Sequence, residues 1–89
     1  MRKPDFTGQF KRDFNKSESR GLNMAKLEEA MALLLAAAPL PERYKDHPLR
    51  GNWKGFRELH IEPDWLLIYM ITGDIVQFSR TGTHSDLFD

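Results

Sequence analysis

Apolar residues recur at two different periods along this chain, and the change of period divides it into helical and extended halves. Phe6, Phe10 and Phe14 are four apart, which places them on one side of a helix. Lys11, Arg12, Asp13 and Lys16 fall between them as the solvated side. Thr7 is suited to cap that helix and Gly21 to end it with a left-handed residue. Asn23 caps a second helix, in which Met24, Leu27, Met31, Leu34, Leu35 and Ala38 form an amphipathic stripe that stops at Pro39 and Pro41. Two antiparallel helices joined by a few residues follow. From Trp53 the period is two. Trp53, Gly55, Arg57, Leu59 and Ile61 take one face, and Lys54, Phe56, Glu58 and His60 the other. Trp65 to Ile71 is apolar at nearly every position, as in a central strand covered on both faces. Thr72-Gly73-Asp74 turns the chain into a further strand over Ile75 to Thr81, with a short segment after Gly82. Met1 to Phe6 is a weak candidate for an edge strand, and Leu40 to Asn52, with Pro41, Pro48 and Gly51, reads as an irregular connection. The expected fold class is α+β, with two N-terminal helices on one face of a small antiparallel sheet.

Length and composition narrow this picture. With 89 residues, a single domain spanning 1–89 is expected. Hydrophobic content of 40% and charged content of 29% fit a soluble globular domain. No apolar run approaches the ~18 residues of a membrane span. The N-terminus runs into charged residues without the apolar stretch of a secretory leader. The absence of cysteine removes disulfide and thiolate chemistry and agrees with a cytoplasmic protein. Lys and Arg equal Asp and Glu, so tight unaided binding to nucleic acid is disfavoured. A nucleic-acid role then requires a locally basic face or a larger machine that delivers the substrate.

All three histidines, His47, His60 and His84, sit at turn edges or strand ends in the second half. An isolated loop histidine is ordinarily a surface residue. Three in such positions, with Asp64 four residues after His60, suit proton transfer near neutral pH, since imidazole has a pKa of about 6.5. Zinc is a competing use of His and Asp, but no H-x3-H or CxxC spacing supports it. Arg80, at the end of its strand, suits a bidentate phosphate clamp, although it shares parity with the core-like Val76 and Phe78. An ordinary ion pair is the alternative. Trp65 and Phe88 offer base-stacking surfaces, with burial in the core the competing reading for Trp65. Lys45, Arg50, Lys54 and Arg57, interleaved with Tyr44, Trp53 and Phe56, form a candidate basic patch.

Several of these pieces, in this order, resemble the YafQ-type toxins of the RelE/ParE superfamily of type II toxin–antitoxin systems. They are Tyr44-Lys45-Asp46-His47-Pro48-Leu49, Gly51 to Glu58, His60 with Glu62-Pro63-Asp64-Trp65, and Arg80-Thr81-Gly82-Thr83-His84 with Leu87-Phe88. The resemblance implies a RelE-like fold and an endoribonuclease that cuts mRNA in the ribosomal A site, without a metal or other cofactor. The 2′-hydroxyl attacks phosphorus and leaves a 2′,3′-cyclic phosphate. It further implies His84 as general acid, His47 or His60 as base with Asp64 assisting, Arg80 on the phosphate, and Trp65 and Phe88 against the nucleotides, with Lys54 and Arg57 nearby. The implied partners are the ribosome carrying mRNA and a cognate DNA-binding antitoxin, with DNA reached only through that complex. The rival from another class is a ParE-like or inactive relative that acts by binding protein.

Overall fold

Thr7 and Asn23 set the starts of two helices. The computed structural model describes all residues, Met1–Asp89. After a strand β1 (Lys3–Phe6), the Thr7 hydroxyl accepts the Phe10 N–H at 2.9 Å and opens α1 (Gly8–Ser19). Asn23 accepts the Ala25 N–H and opens α2 (Met24–Leu35). Gly21, at φ +76°, ends the first helix: its N–H reaches the Glu18 carbonyl and that of Leu22 the Ser17 carbonyl. The second ends before Ala38, because Ala37 adopts φ +54° and the same pair of bonds forms to Leu34 and Leu33.

The connection expected to be irregular is more ordered than its prolines suggest. It contains a 3₁₀ turn at Glu42–Tyr44, a two-residue strand β2 (His47–Pro48) and a second 3₁₀ turn at Gly51–Trp53. Strands β3 (Arg57–Glu62), β4 (Trp65–Thr72) and β5 (Ile75–Gly82) follow, and a short helix α3 (His84–Phe88) closes the chain. Gly73, at φ +60°, makes the β4–β5 turn. The sheet order is β1-β5-β4-β3-β2. Every pairing is antiparallel except β1 with β5, which is parallel; no residue pattern in a four-residue edge strand signals that.

Strand β4 is covered on both sides. Trp65, Leu67 and Tyr69 join Phe10, Leu27, Ala30, Leu34, Leu59 and Phe78 in the main core under the two long helices. Leu66 and Ile68 face the other way and meet Leu87, with Trp53, Phe56 and Phe88 packed around them. Trp53 departs from the expected parity, since its 3₁₀ turn carries it to this second face. Asp13, placed on the solvated side by the helical pattern, is buried.

One irregularity sets the chemistry at the end of the sheet. Tyr69 pairs with Phe78 but Ile68 pairs with Arg80, so Ser79 is an extra residue in β5. This bulge resolves the clash of parity at Arg80: beyond Ser79 the strand's alternation is reversed, and Arg80 leaves the face that holds Val76 and Phe78.

Below the main core, Asp46 accepts the Tyr69 hydroxyl and the Nε–H of Arg57, the latter at 2.8 Å. Burial and the Asp46 bond push the Tyr69 phenol well above its ordinary value. A raised value means that this stabilisation is complete below about pH 10 and is lost as pH rises through the folded-state value. In alkaline difference spectroscopy Tyr69 is therefore expected to ionise only as the protein unfolds. Tyr69→Phe should lower stability by about 1.5–3 kcal/mol, read from the urea midpoint.

Candidate active site

The second sheet face is built from cross-strand rows. His47 pairs with Glu58, Glu58 with Ile68, and Ile68 with Arg80; His60 pairs with Leu66, and Leu66 with Gly82. Directly paired residues share a face, so β2 and β3 bring His47, Glu58 and His60 to the side opposite the long helices, while the Arg80 side chain, at the end of the same row, turns back to Asp13 on α1. The rings of His47 and His60 are 6.2 Å apart. With strands about 4.8 Å apart, the His47 and Arg80 backbones are separated by roughly 14 Å across three intervals.

Glu58 is the residue that the motif reading passed over. It is buried, and its Oε2 lies 2.9 Å from His47 Nε2, while His47 Nδ1 lies 3.1 Å from the Pro48 carbonyl oxygen. Both neighbours offer acceptor oxygens, so a neutral ring can donate to one and an imidazolium to both. Glu58 Oε1 and His60 Nδ1 are buried without a partner. No hydrogen bond engages His60 Nε2, and residue His60 borders a recess of about 550 Å³ with Lys26, Arg43 and Lys45. The signal for Glu58 was its shared parity with His60.

His84 begins α3. Its backbone N–H donates to Asp64 Oδ1 at 3.0 Å, so Asp64 anchors His84 from the β3–β4 turn and makes no hydrogen bond to His60 or His47. The His84 ring lies 4.9 Å from that of Phe88, and Phe88 lies 6.0 Å from Trp53. Thr83 and Asp86 form a reciprocal cap, and Asp86 is clamped by Arg20 at 2.6 Å with Lys16 nearby.

Three expected residues fall elsewhere. Trp65 is 2% exposed and its indole N–H donates to Thr81 Oγ1 at 3.0 Å, so it has no surface for a base. Arg57 pairs with Asp46 beside Tyr69, on the face under the long helices, and so leaves the basic patch. Arg80 makes no bond to any imidazole. Its Nε and Nη2 donate to Asp13 at 2.7 and 3.2 Å. It shares a recess of about 120 Å³ with Asp86 and α1. Lys54 and Arg50 remain exposed and free of ion pairs as a candidate cationic rim, with Arg50 in a recess beside His47. No three His, Asp or Glu side chains are arranged to hold a metal ion. No helix is long and apolar enough to cross a membrane.

Comparison with known proteins places this geometry among bacterial toxins. Residues 2–89 match the family described as bacterial toxin of type II toxin-antitoxin system, YafQ. The mRNA interferase toxin YafQ of Escherichia coli K12 is 48% identical over 85 residues, 94% of this chain and 92% of that protein. The crystal structure of YafQ from E. coli BL21(DE3) superposes with a TM-score of 0.95 at 46% identity, covering 100% of both chains. YafQ in the E. coli DinJ-YafQ complex superposes at 0.92 with 47% identity, again over 100% of both.

The Arg20 hydrogen bond, followed by the Thr83 N–H, holds the Asp86 carboxyl far below the usual carboxylate range. Its stabilisation of α3 is therefore present above about pH 4 and is lost only as pH falls through the depressed value. Amide exchange checks this through the Leu87 N–H, which bonds to the Thr83 carbonyl oxygen. Protection should persist on acidification through pH 4, whereas Arg20→Ala should move its loss up towards about pH 4.

Proposed function

The chain belongs to the YafQ family of bacterial toxins of type II toxin–antitoxin systems, and from that premise we propose that it is an endoribonuclease that cleaves messenger RNA on the ribosome. The observation that carries this reading is the common face on which His47, Glu58 and His60 lie, with His84 and Phe88 on the helix laid over it. The name of the E. coli relative, an mRNA interferase, supports the activity. The DinJ-YafQ complex supports a cognate antitoxin as the partner that keeps the toxin inactive; DNA is reached only through that antitoxin. A chain with no net charge lacks the basic excess of a free-standing RNA binder, and a ribosome that presents the mRNA removes that requirement.

The reaction follows from the free atoms. His60 Nε2, open and unpaired, takes the proton from the ribose 2′-hydroxyl. The 2′-oxygen bonds to the adjacent phosphorus, and the bond from phosphorus to the 5′-oxygen breaks. His84, exposed at the start of α3, donates a proton to that leaving oxygen. The products are a 2′,3′-cyclic phosphate and a free 5′-hydroxyl. His47, oriented by Glu58, places positive charge beside the developing phosphorane when protonated. Arg80 supplies a guanidinium to a phosphoryl oxygen. Phe88 stacks on a base, Lys54 contributes to the cationic rim, and Asp64 serves by anchoring His84.

A ParE-like reading, in which the fold acts only by binding protein, leaves the convergent histidines without a task. Single-turnover cleavage on purified ribosomes separates the two. Wild type should yield 2′,3′-cyclic phosphate ends only when ribosomes are present, with a bell-shaped rate between about pH 5.5 and 9. His60→Ala and His84→Ala should each lose roughly 10²- to 10⁴-fold. Cleavage at the wild-type rate by both variants, or toxicity on induction that survives both, contradicts a nuclease built on these imidazoles.

A further inference from the structure

We propose that Asp13 is a positioning residue for Arg80, presenting one edge of its guanidinium to the scissile phosphate. This inference rests on the reading that Arg80 binds that phosphate.

Asp13 is 6% exposed, and each of its oxygens accepts two bonds. Oδ1 takes Gln9 Nε2 at 3.0 Å and Arg80 Nη2 at 3.2 Å; Oδ2 takes Arg80 Nε at 2.7 Å and the Thr81 N–H at 3.2 Å. A buried carboxylate is costly unless it is satisfied in this way. The Nε–Nη2 edge of Arg80 is thus held at two points, which fixes the plane of the guanidinium. The second edge, from Nη2 to Nη1, meets no protein acceptor. The side chain is 23% exposed and opens into the recess that Arg12 and Lys16 also line. A planar fork held on one edge and free on the other is arranged for bidentate contact with two phosphoryl oxygens. It needs no reorganisation when charge develops on them. The Ser79 bulge delivers Arg80 to Asp13, and the Thr81 N–H shares the same oxygen, so strand and helix are locked at the point where the cation is offered.

A double-mutant cycle in single-turnover cleavage at saturating ribosome tests this, with circular dichroism melts to confirm folding. Arg80→Ala should be slow. Asp13→Asn, which keeps the shape but turns an amide N–H towards the donors, should lose up to roughly 100-fold in rate through misplacement of the guanidinium. In the Arg80→Ala background Asp13→Asn should then cost nothing further, because its effect runs through Arg80. The same fold-loss in both backgrounds assigns Asp13 to the fold alone and overturns the proposal. So does a wild-type rate in Asp13→Asn beside a slow Arg80→Ala. A wild-type rate in Arg80→Ala removes Arg80 from the reaction, and this inference with it. Arg80→Lys reports independently of any Asp13 variant. Lysine keeps the charge but has no second edge, so it should be as slow as Arg80→Ala; a wild-type rate overturns the proposal.

Discussion

Strand β4 is apolar on both faces, and the need to cover its second face organises this molecule. The main core hides Trp65, Leu67 and Tyr69 beneath α1 and α2. That leaves Leu66 and Ile68 on the opposite side, where no long helix is available. The chain covers them with what remains: Leu87 from α3, and Trp53 and Phe56 from the turn before β3. A five-residue helix lies far below the ~12–15 residues at which an isolated helix becomes marginally stable. Its position therefore depends on that small patch, on the Thr83–Asp86 cap and on the Arg20 clamp. Since α3 begins with His84 and ends with Phe88, the burial of two β4 side chains also sets where a candidate acid and a candidate base-stacking ring stand.

Paired carboxylates do the remaining placement. Asp13 holds Arg80, Asp46 holds Arg57 and Tyr69, Glu58 holds His47, and Asp86 holds Arg20. Most of these pairs join residues far apart in sequence, so acidic groups that cancel the net charge also fix the cations. The result is a chain neutral in sum that still carries unpaired cations, Arg50 beside His47 among them. A neutral composition argues against unaided RNA binding but not against a site assembled from fixed charges.

Much of this was legible in the residues. Periodicity and caps placed both long helices, and the change to period two placed the long strands. The unbroken apolar run identified β4 as central, and the alternation of β3 put Glu58 and His60 together. What escaped has a common physical cause: it depends on backbone irregularity or on distant partners. The extra residue at Ser79 reverses the alternation, so counting by twos left Arg80 in conflict with Val76 and Phe78. The 3₁₀ turn at Gly51–Trp53 moved Trp53 to the other face. Asp13 looked solvated because its partner lies 67 residues further on. Trp65 and Arg57 share sequence neighbourhoods with site residues but face the main core, a distinction that strand parity makes for Arg57 and that an all-apolar strand withholds for Trp65. The parallel pairing of β1 leaves no trace in its four residues.

The small second core holds α3, and with it His84 and Phe88, in place; Leu87→Ala tests that most directly. The substitution should cost about 2–5 kcal/mol locally and remove amide protection from α3, while the main core still melts cooperatively. Cleavage on ribosomes is expected to fall to nearly the level of a protein lacking His84. A variant in which α3 has lost its protection yet cuts mRNA at the wild-type rate would contradict the account.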